Sequence, residues 1–250
     1  MSGFHAFWLP SFAAQPGAIF SLDREESHHL VRVLRAKVGD PVTVLDGRGQ
    51  RIQAILTDTS GRECRLQVNA LERSAPLTPA ITLGLVITKG KTHETILRQV
   101  TECGVTRIQS LFSQRCEVRY DDARQRNREE KWRTHLIEAC KQSGNPHMPT
   151  CPTPLDLCAW LETVKPEPGL KWIGSLEEHA IPVRLALAEA LSAAAPPAAV
   201  TLLIGPEGDF TPAEYAAARE AGFSPLRLSG HVMRTETAAL ALVSLARALG

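Results

Sequence analysis

Between Val42 and Leu71 the apolar residues fall into short runs, Val42–Leu45, Ile52–Leu56 and Cys64–Leu71, divided by turns of which Asp46-Gly47-Arg48-Gly49 is the clearest. Near-alternation bounded by glycine and aspartate predicts half-buried strands. The first part of the chain, residues 1–72, therefore reads as a small β-barrel domain. Arg73 to Ala80 then carries Pro76 and Pro79 in a polar context. Proline lacks the N–H that a helix interior or a central strand requires, so a domain boundary is expected here, with the second domain over 73–250.

Beyond the boundary the period changes. A continuous apolar run, Ile81–Thr88, precedes a segment from Thr92 to Cys103 with apolar positions at 96, 97, 100 and 103, and Gly104 follows. That is a buried strand, an amphipathic helix and a glycine stop. Ile108–Phe112 resumes as a strand, and Asp121–Ser143 predicts a long charged helix ended by Gly144-Asn145-Pro146. Lys171–Ile173, Val200–Ile204 and Leu226–Leu228 supply further strands, while Leu191–Ala199 reads as a helix end and a loop. Thr211-Pro212-Ala213-Glu214 has the form of a capping box with proline at the first helical position. The last helix, about Thr235 to Leu249, is almost wholly Ala, Leu and Val, which predicts that it is largely buried. Strands alternating with helices predict an α/β domain with a mostly parallel sheet.

Composition narrows the classes. The chain has 250 residues, 44% of them hydrophobic, but its apolar runs fall far short of the roughly 20 residues of a membrane span. Met1 to Pro10 lacks the basic and apolar regions of an export signal, so a cytoplasmic location is expected. A net charge of +1 provides no global field for nucleic acid, so any such partner must be argued from local clusters. The six cysteines show no pair at the spacing of a zinc site. No metal is expected, and the cysteines read as buried reduced thiols.

The chemical motifs are glycine turns. No GxGxxG follows a strand. Gly84 to Thr92 ends in Gly90-Lys91-Thr92 like a phosphate-binding loop, but five residues separate the glycines where that loop has four, and Leu85–Thr88 reads as strand. Leu203-Ile204-Gly205-Pro206-Glu207-Gly208 runs from a strand into a rigid turn whose glycines would let backbone approach a ligand. Leu228-Ser229-Gly230-His231-Val232-Met233-Arg234-Thr235-Glu236-Thr237-Ala238 is a strand end, a glycine turn and a helix start with Thr235 as a possible cap. Each tract alone is equally well an ordinary turn and cap.

Together the two tracts resemble the cofactor-binding signatures of the SPOUT methyltransferases, whose C-terminal chain forms a deep trefoil knot. Within that class the chain is similar to the RsmE family, which methylates N3 of a uridine in 16S ribosomal RNA. Further matches are His29-Leu30-Val31-Arg32-Val33-Leu34-Arg35, Lys89-Gly90-Lys91 with Glu94, Glu102-Cys103-Gly104-Val105, Ser113-Gln114-Arg115-Cys116 and the segment from Glu138 to Asn145. The resemblance implies a PUA-like barrel ahead of a knotted α/β domain, a homodimer, and 16S rRNA or the small ribosomal subunit as partner. It implies S-adenosylmethionine held against Leu203, Ile204, Gly205, Pro206, Glu207, Gly208, Leu228, Ser229, Gly230, Val232 and Met233. Arg234 would stabilise the uracil oxygen and Glu236 or Glu207 would take the proton, with loop anchoring the favoured role for Glu207. Arg115, and Arg32, Arg35 and Lys37 in the barrel, would contact RNA. A side chain at Gly230 is expected to crowd the turn. Two positions depart from the pattern: Asp209 stands where a second glycine is usual, and His231 where a basic residue, often arginine, is common. The alternative function is an RNA-binding or ribosome-assembly factor that kept the fold and lost catalysis.

Overall fold

The computed structural model describes residues 4–7, 15–118 and 122–250. The chain divides into two compact units, Met1–Pro76 with Ile137–Met148, and Leu77–Leu136 with Pro149–Gly250. The first therefore includes a return segment that the sequence pattern assigns to the second domain.

In the first unit, β1 (Phe4–Phe7), β2 (Ile19–Ser21), β3 (Pro41–Leu45), β4 (Gln50–Asp58) and β5 (Arg65–Arg73) form one sheet in the order β1-β3-β4-β5-β2. Val42, Val44, Ile52, Ala54, Leu56, Leu66 and Val68 alternate inward and build its core with Leu22 and Leu30. Between β2 and β3 lie α1 (Arg24–His28) and a π-helical turn, His29–Val33, neither of which the hydrophobic pattern anticipates. Asp23 caps α1 by accepting the Glu26 N–H at 2.8 Å. The return segment is fastened by a buried ion pair: Lys141 Nζ lies 2.6 Å from Glu26 Oε1 and 2.7 Å from Glu138 Oε1, while Glu26 Oε2 accepts the Phe7 N–H.

The second unit is α/β. Its strands are β6 (Ala80–Val86), β7 (Arg107–Phe112), β8 (Leu155–Asp156), β9 (Leu170–Gly174), β10 (Ile181–Pro182), β11 (Ala199–Ile204) and β12 (Ser224–Arg227). They form one sheet, parallel throughout, in the order β10-β12-β9-β11-β6-β7-β8. The helices are α2 (Thr92–Glu102), α3 (Asp122–Ser143), α4 (Leu157–Val164), α5 (Val183–Leu191), α6 (Pro212–Glu220) and α7 (Thr235–Arg247). Asp121, where the sequence pattern begins the long helix, lies outside the described residues. The central pair β11 and β6 is apolar and buried on both faces, as helix-covered parallel strands require. α7 packs over this pair and against α2, and Arg247 near its end donates to the carbonyls of Pro79 and Gly104 at 2.8 and 2.6 Å. Gly104, at φ +78°, ends α2 as the sequence predicts.

A Cβ at Gly84 would run into the Trp160 ring, so this glycine admits an indole of α4 against β6, in keeping with the rejection of a phosphate loop there. The cysteines are all free, but only Cys64, Cys116 and Cys140 are buried; Cys158 is exposed in the first turn of α4. No helix among the described residues is long and apolar enough to cross a membrane.

Two measurements probe this packing. Lys141→Met leaves the buried Glu26 carboxylate without its cation and is expected to lower the unfolding free energy by about 3–5 kcal/mol in urea titration, with Glu26→Gln added to it restoring much of the loss. His93 lies wholly buried against Trp132, with Nε2 3.0 Å from Ser110 Oγ, and burial together with the nearby Arg128 charge lowers its pKa to about 3. The unfolded chain, with a histidine near 6.5, then binds the extra proton, so this group makes the fold lose stability as pH falls from about 6.5 towards 3. His93→Gln is expected to flatten the dependence of the urea midpoint on pH over that window.

Candidate functional site

Loops that follow the C-terminal ends of parallel strands are where an open α/β sheet builds ligand sites. Here the residues after β9, β11 and β12 and the start of α2 surround one cavity of about 490 Å³. Its wall comprises Gly174, Ser175 and Leu176; the run from Ile204 to Glu207 with Asp209; Arg227 to Ser229; the run from His231 to Glu236 with Ala238; and Thr92. The two glycine tracts, far apart in sequence, thus meet.

The loop after β11 is held from beneath and from the side. A Cβ on Gly205 would lie 2.9 Å from the Phe210 ring, so glycine is needed here because an aromatic side chain packs under the turn. Thr211 and Glu214 form the predicted capping box at the start of α6. The buried Glu214 carboxylate does more, since its Oε1 accepts the Gln114 N–H at 2.7 Å from the turn after β7. Arg115, in the same turn, donates from Nη1 to the carbonyls of Gly208 and Phe210 at 3.0 and 3.3 Å. Its guanidinium therefore braces this loop. Glu207 is exposed and has no hydrogen-bond partner among the described residues, so the anchoring carboxylate is Glu214 in its place. Asp209 sits at φ +60° and its Oδ1 accepts the Tyr215 hydroxyl at 2.7 Å.

The loop after β12 leads into α7. The cap is Arg234, extended at φ −64° and ψ 154°, with no side-chain cap bond; Thr235 is the first helical residue and is buried. Arginine cannot accept from the helix's free N–H groups, so these remain open at the edge of the cavity. The Arg234 side chain is 86% exposed, with Nη1 4.0 Å from Glu236 Oε1. A cation at the positive end of a helix is electrostatically unfavourable, so its position is not explained by helix stability. The His231 N–H donates to Ser229 Oγ within the turn.

Of the cofactor residues expected from sequence, Ile204, Gly205, Pro206, Glu207, Leu228, Ser229, Val232 and Met233 line the cavity, as do Arg234 and Glu236. Leu203, Gly208 and Gly230 do not. Leu203 points into the core, and a Cβ on Gly230 would meet no protein atom within 4 Å. Gly174 to Leu176 was not anticipated; the only sequence signal is a glycine closing a short apolar run. Arg32, within the π-helical turn, and Arg35 and Lys37, just after it, are exposed on the first unit, Arg35 at φ +62°. No group of three or more metal-binding side chains forms among the described residues. Gly205→Ala is expected to destabilise the fold by about 1–3 kcal/mol through overpacking on Phe210, whereas Gly230→Ala leaves the melting temperature unchanged.

Comparison with known proteins agrees on one family. Residues 75–247 match the RNA methyltransferase domain model and residues 22–69 the RNA methyltransferase PUA domain model. The Ribosomal RNA small subunit methyltransferase E of a Synechocystis species is 31% identical over 88% of this chain and 70% of its own length. That of Mycobacterium bovis is 27% identical over 89% and 84%. Among solved structures, a Legionella pneumophila methyltransferase in complex with the cofactor SAM superposes with a TM-score of 0.88 at 27% identity, over 99% of this chain and 98% of that one. A Ribosomal RNA small subunit methyltransferase E from Neisseria gonorrhoeae bound to S-adenosyl methionine gives 0.82 at 27%, over 97% and 95%. The chain belongs to the RsmE family of RNA methyltransferases.

Proposed function

We propose that this chain transfers the methyl group of S-adenosylmethionine to N3 of a uridine in 16S ribosomal RNA. The observation that carries the reading is Arg234, an exposed guanidinium paired only loosely with Glu236 beside an uncapped helix N-terminus on the wall of a cavity of small-molecule size. The cavity suits the methyl donor: Ile204, Pro206, Leu228 and Met233 give apolar wall for a purine, and three loops bring backbone polar groups for its ribose and amino-acid portions.

Bound S-adenosylmethionine supplies an electrophilic methyl on a sulfonium that departs as a neutral thioether. The protein has three tasks: to orient the uracil ring, remove the N3 proton and stabilise the charge that spreads onto the ring oxygens. Arg234 and the free amides of α7 form one positive region for that charge. Glu236, which also lines the cavity, is assigned the proton, and Glu207, a further lining residue, is the alternative acceptor. Arg32, Arg35 and Lys37 would neutralise phosphates without reading sequence. The family resemblance implies a homodimer. The reading implies a cytoplasmic enzyme that works on free 16S rRNA or on the small ribosomal subunit.

The test is methyl transfer from labelled S-adenosylmethionine to free 16S rRNA and to small subunits, with the modified nucleotide mapped by mass spectrometry. Arg234→Ala is expected to cut kcat about 100- to 1,000-fold while the cofactor Kd stays within about threefold. RNA binding without methyl transfer by the wild type would leave a non-catalytic assembly factor, and a methyl on another atom or base would overturn the uridine N3 assignment.

A further inference from the structure

Asp209 occupies the left-handed backbone region, which costs a residue with a side chain about 1–2 kcal/mol and is least costly for Asn and Asp. Glycine would remove that cost, so the carboxylate must return something. Asp209 Oδ1 accepts the Tyr215 hydroxyl at 2.7 Å, and the same phenol oxygen accepts the Leu176 N–H at 3.3 Å. Tyr215 is buried on α6 and packs edge-on against Phe210, with ring centroids 5.4 Å apart. Burial, followed by the bond to Asp209, raises the phenol pKa above its ordinary value, so the hydroxyl keeps its proton and remains a donor. One phenol therefore bridges the loop after β11 to the loop after β9. Asp209 and Leu176 both line the cavity. The β9 loop is tied to α6 a second time by Arg219, whose Nη1 lies 2.8 Å from Glu177 Oε2.

We infer that Asp209 and Tyr215 are positioning residues that latch two of the three cavity loops together and thereby set the affinity for S-adenosylmethionine. The inference rests on the reading of the cavity as the methyl-donor site. A ligand that touches both loops is bound most tightly when their spacing is fixed beforehand, since otherwise binding must supply the ordering. Asp209 thus replaces the freedom of a glycine with a side-chain bond that only this pairing provides.

The test is calorimetric titration of the full chain with S-adenosylmethionine, for the wild type, Asp209→Gly, Tyr215→Phe, the two combined, and Asp209→Asn, with thermal unfolding of each. Asp209→Gly loses the hydrogen bond to a charged group and Tyr215→Phe loses that bond and the acceptor of the Leu176 N–H, so each is expected to weaken binding about five- to tenfold or more, and the combination to bind no worse than Tyr215→Phe. Asp209→Asn keeps the acceptor and is expected to bind within about twofold of wild type. In methyl-transfer assays KM for the cofactor rises while kcat at saturation holds. Asp209→Gly also relieves the backbone, so its melting temperature does not fall with its affinity, which a merely structural role would require. Wild-type affinity in both single variants, or effects that simply add, would overturn the latch and leave the cofactor reading standing. A folded wild type that does not bind S-adenosylmethionine would overturn both.

Discussion

Everything at the cavity depends on two apolar strands lying side by side. β11 pairs with β6 in parallel, Leu202 against Leu83 and Ile204 against Leu85, and both are buried on their two faces. A buried strand cannot slip by one residue without turning its side chains to the wrong layer, so this register is strongly specified. Once it is set, β9 and β12 follow on one side, and the C-terminal ends of β6, β9, β11 and β12 open towards a common space. The chemistry sits in loops, but sheet burial decides which loops meet.

The loops themselves are made rigid by polar side chains that reach across long sequence separations. Glu214 closes its own helix cap and also takes an amide from the turn after β7. Arg115, from that turn, takes the two carbonyls on either side of Asp209. A buried carboxylate and a charged donor are costly unless satisfied, and here each satisfies groups that the turn would otherwise leave bare. The cavity wall is thus stiff on one side, while the Arg234 side stays open at an uncapped helix end.

What was legible in the sequence was local. The runs at Ile52–Leu56, Ile81–Thr88 and Val200–Ile204, the Gly104 stop and the Thr211–Glu214 box each carry their cause within a few residues, and each marks an element of the fold. The two glycine tracts located most of the cavity because strand ends and turns are local too. The Gly174–Leu176 wall was hidden, since its position comes from pairing of β9 with β11 and β12. The role of Arg115 was hidden because its partners lie 93 and 95 residues away. The reason for Gly84 was hidden likewise: it makes room for Trp160, which no spacing rule connects to it. The return of Ile137–Met148 to the first unit likewise depends on Lys141 finding Glu26 across 115 positions.

Gly205 carries a wider consequence. Its side chain is excluded by the Phe210 ring, five positions along the same loop, so the two sites share a single volume. A lineage that shrank the aromatic could accept a larger residue at the turn, and one that kept it could not. The two positions should therefore vary together across relatives, and an invariant glycine in this turn records its aromatic neighbour before it records any ligand.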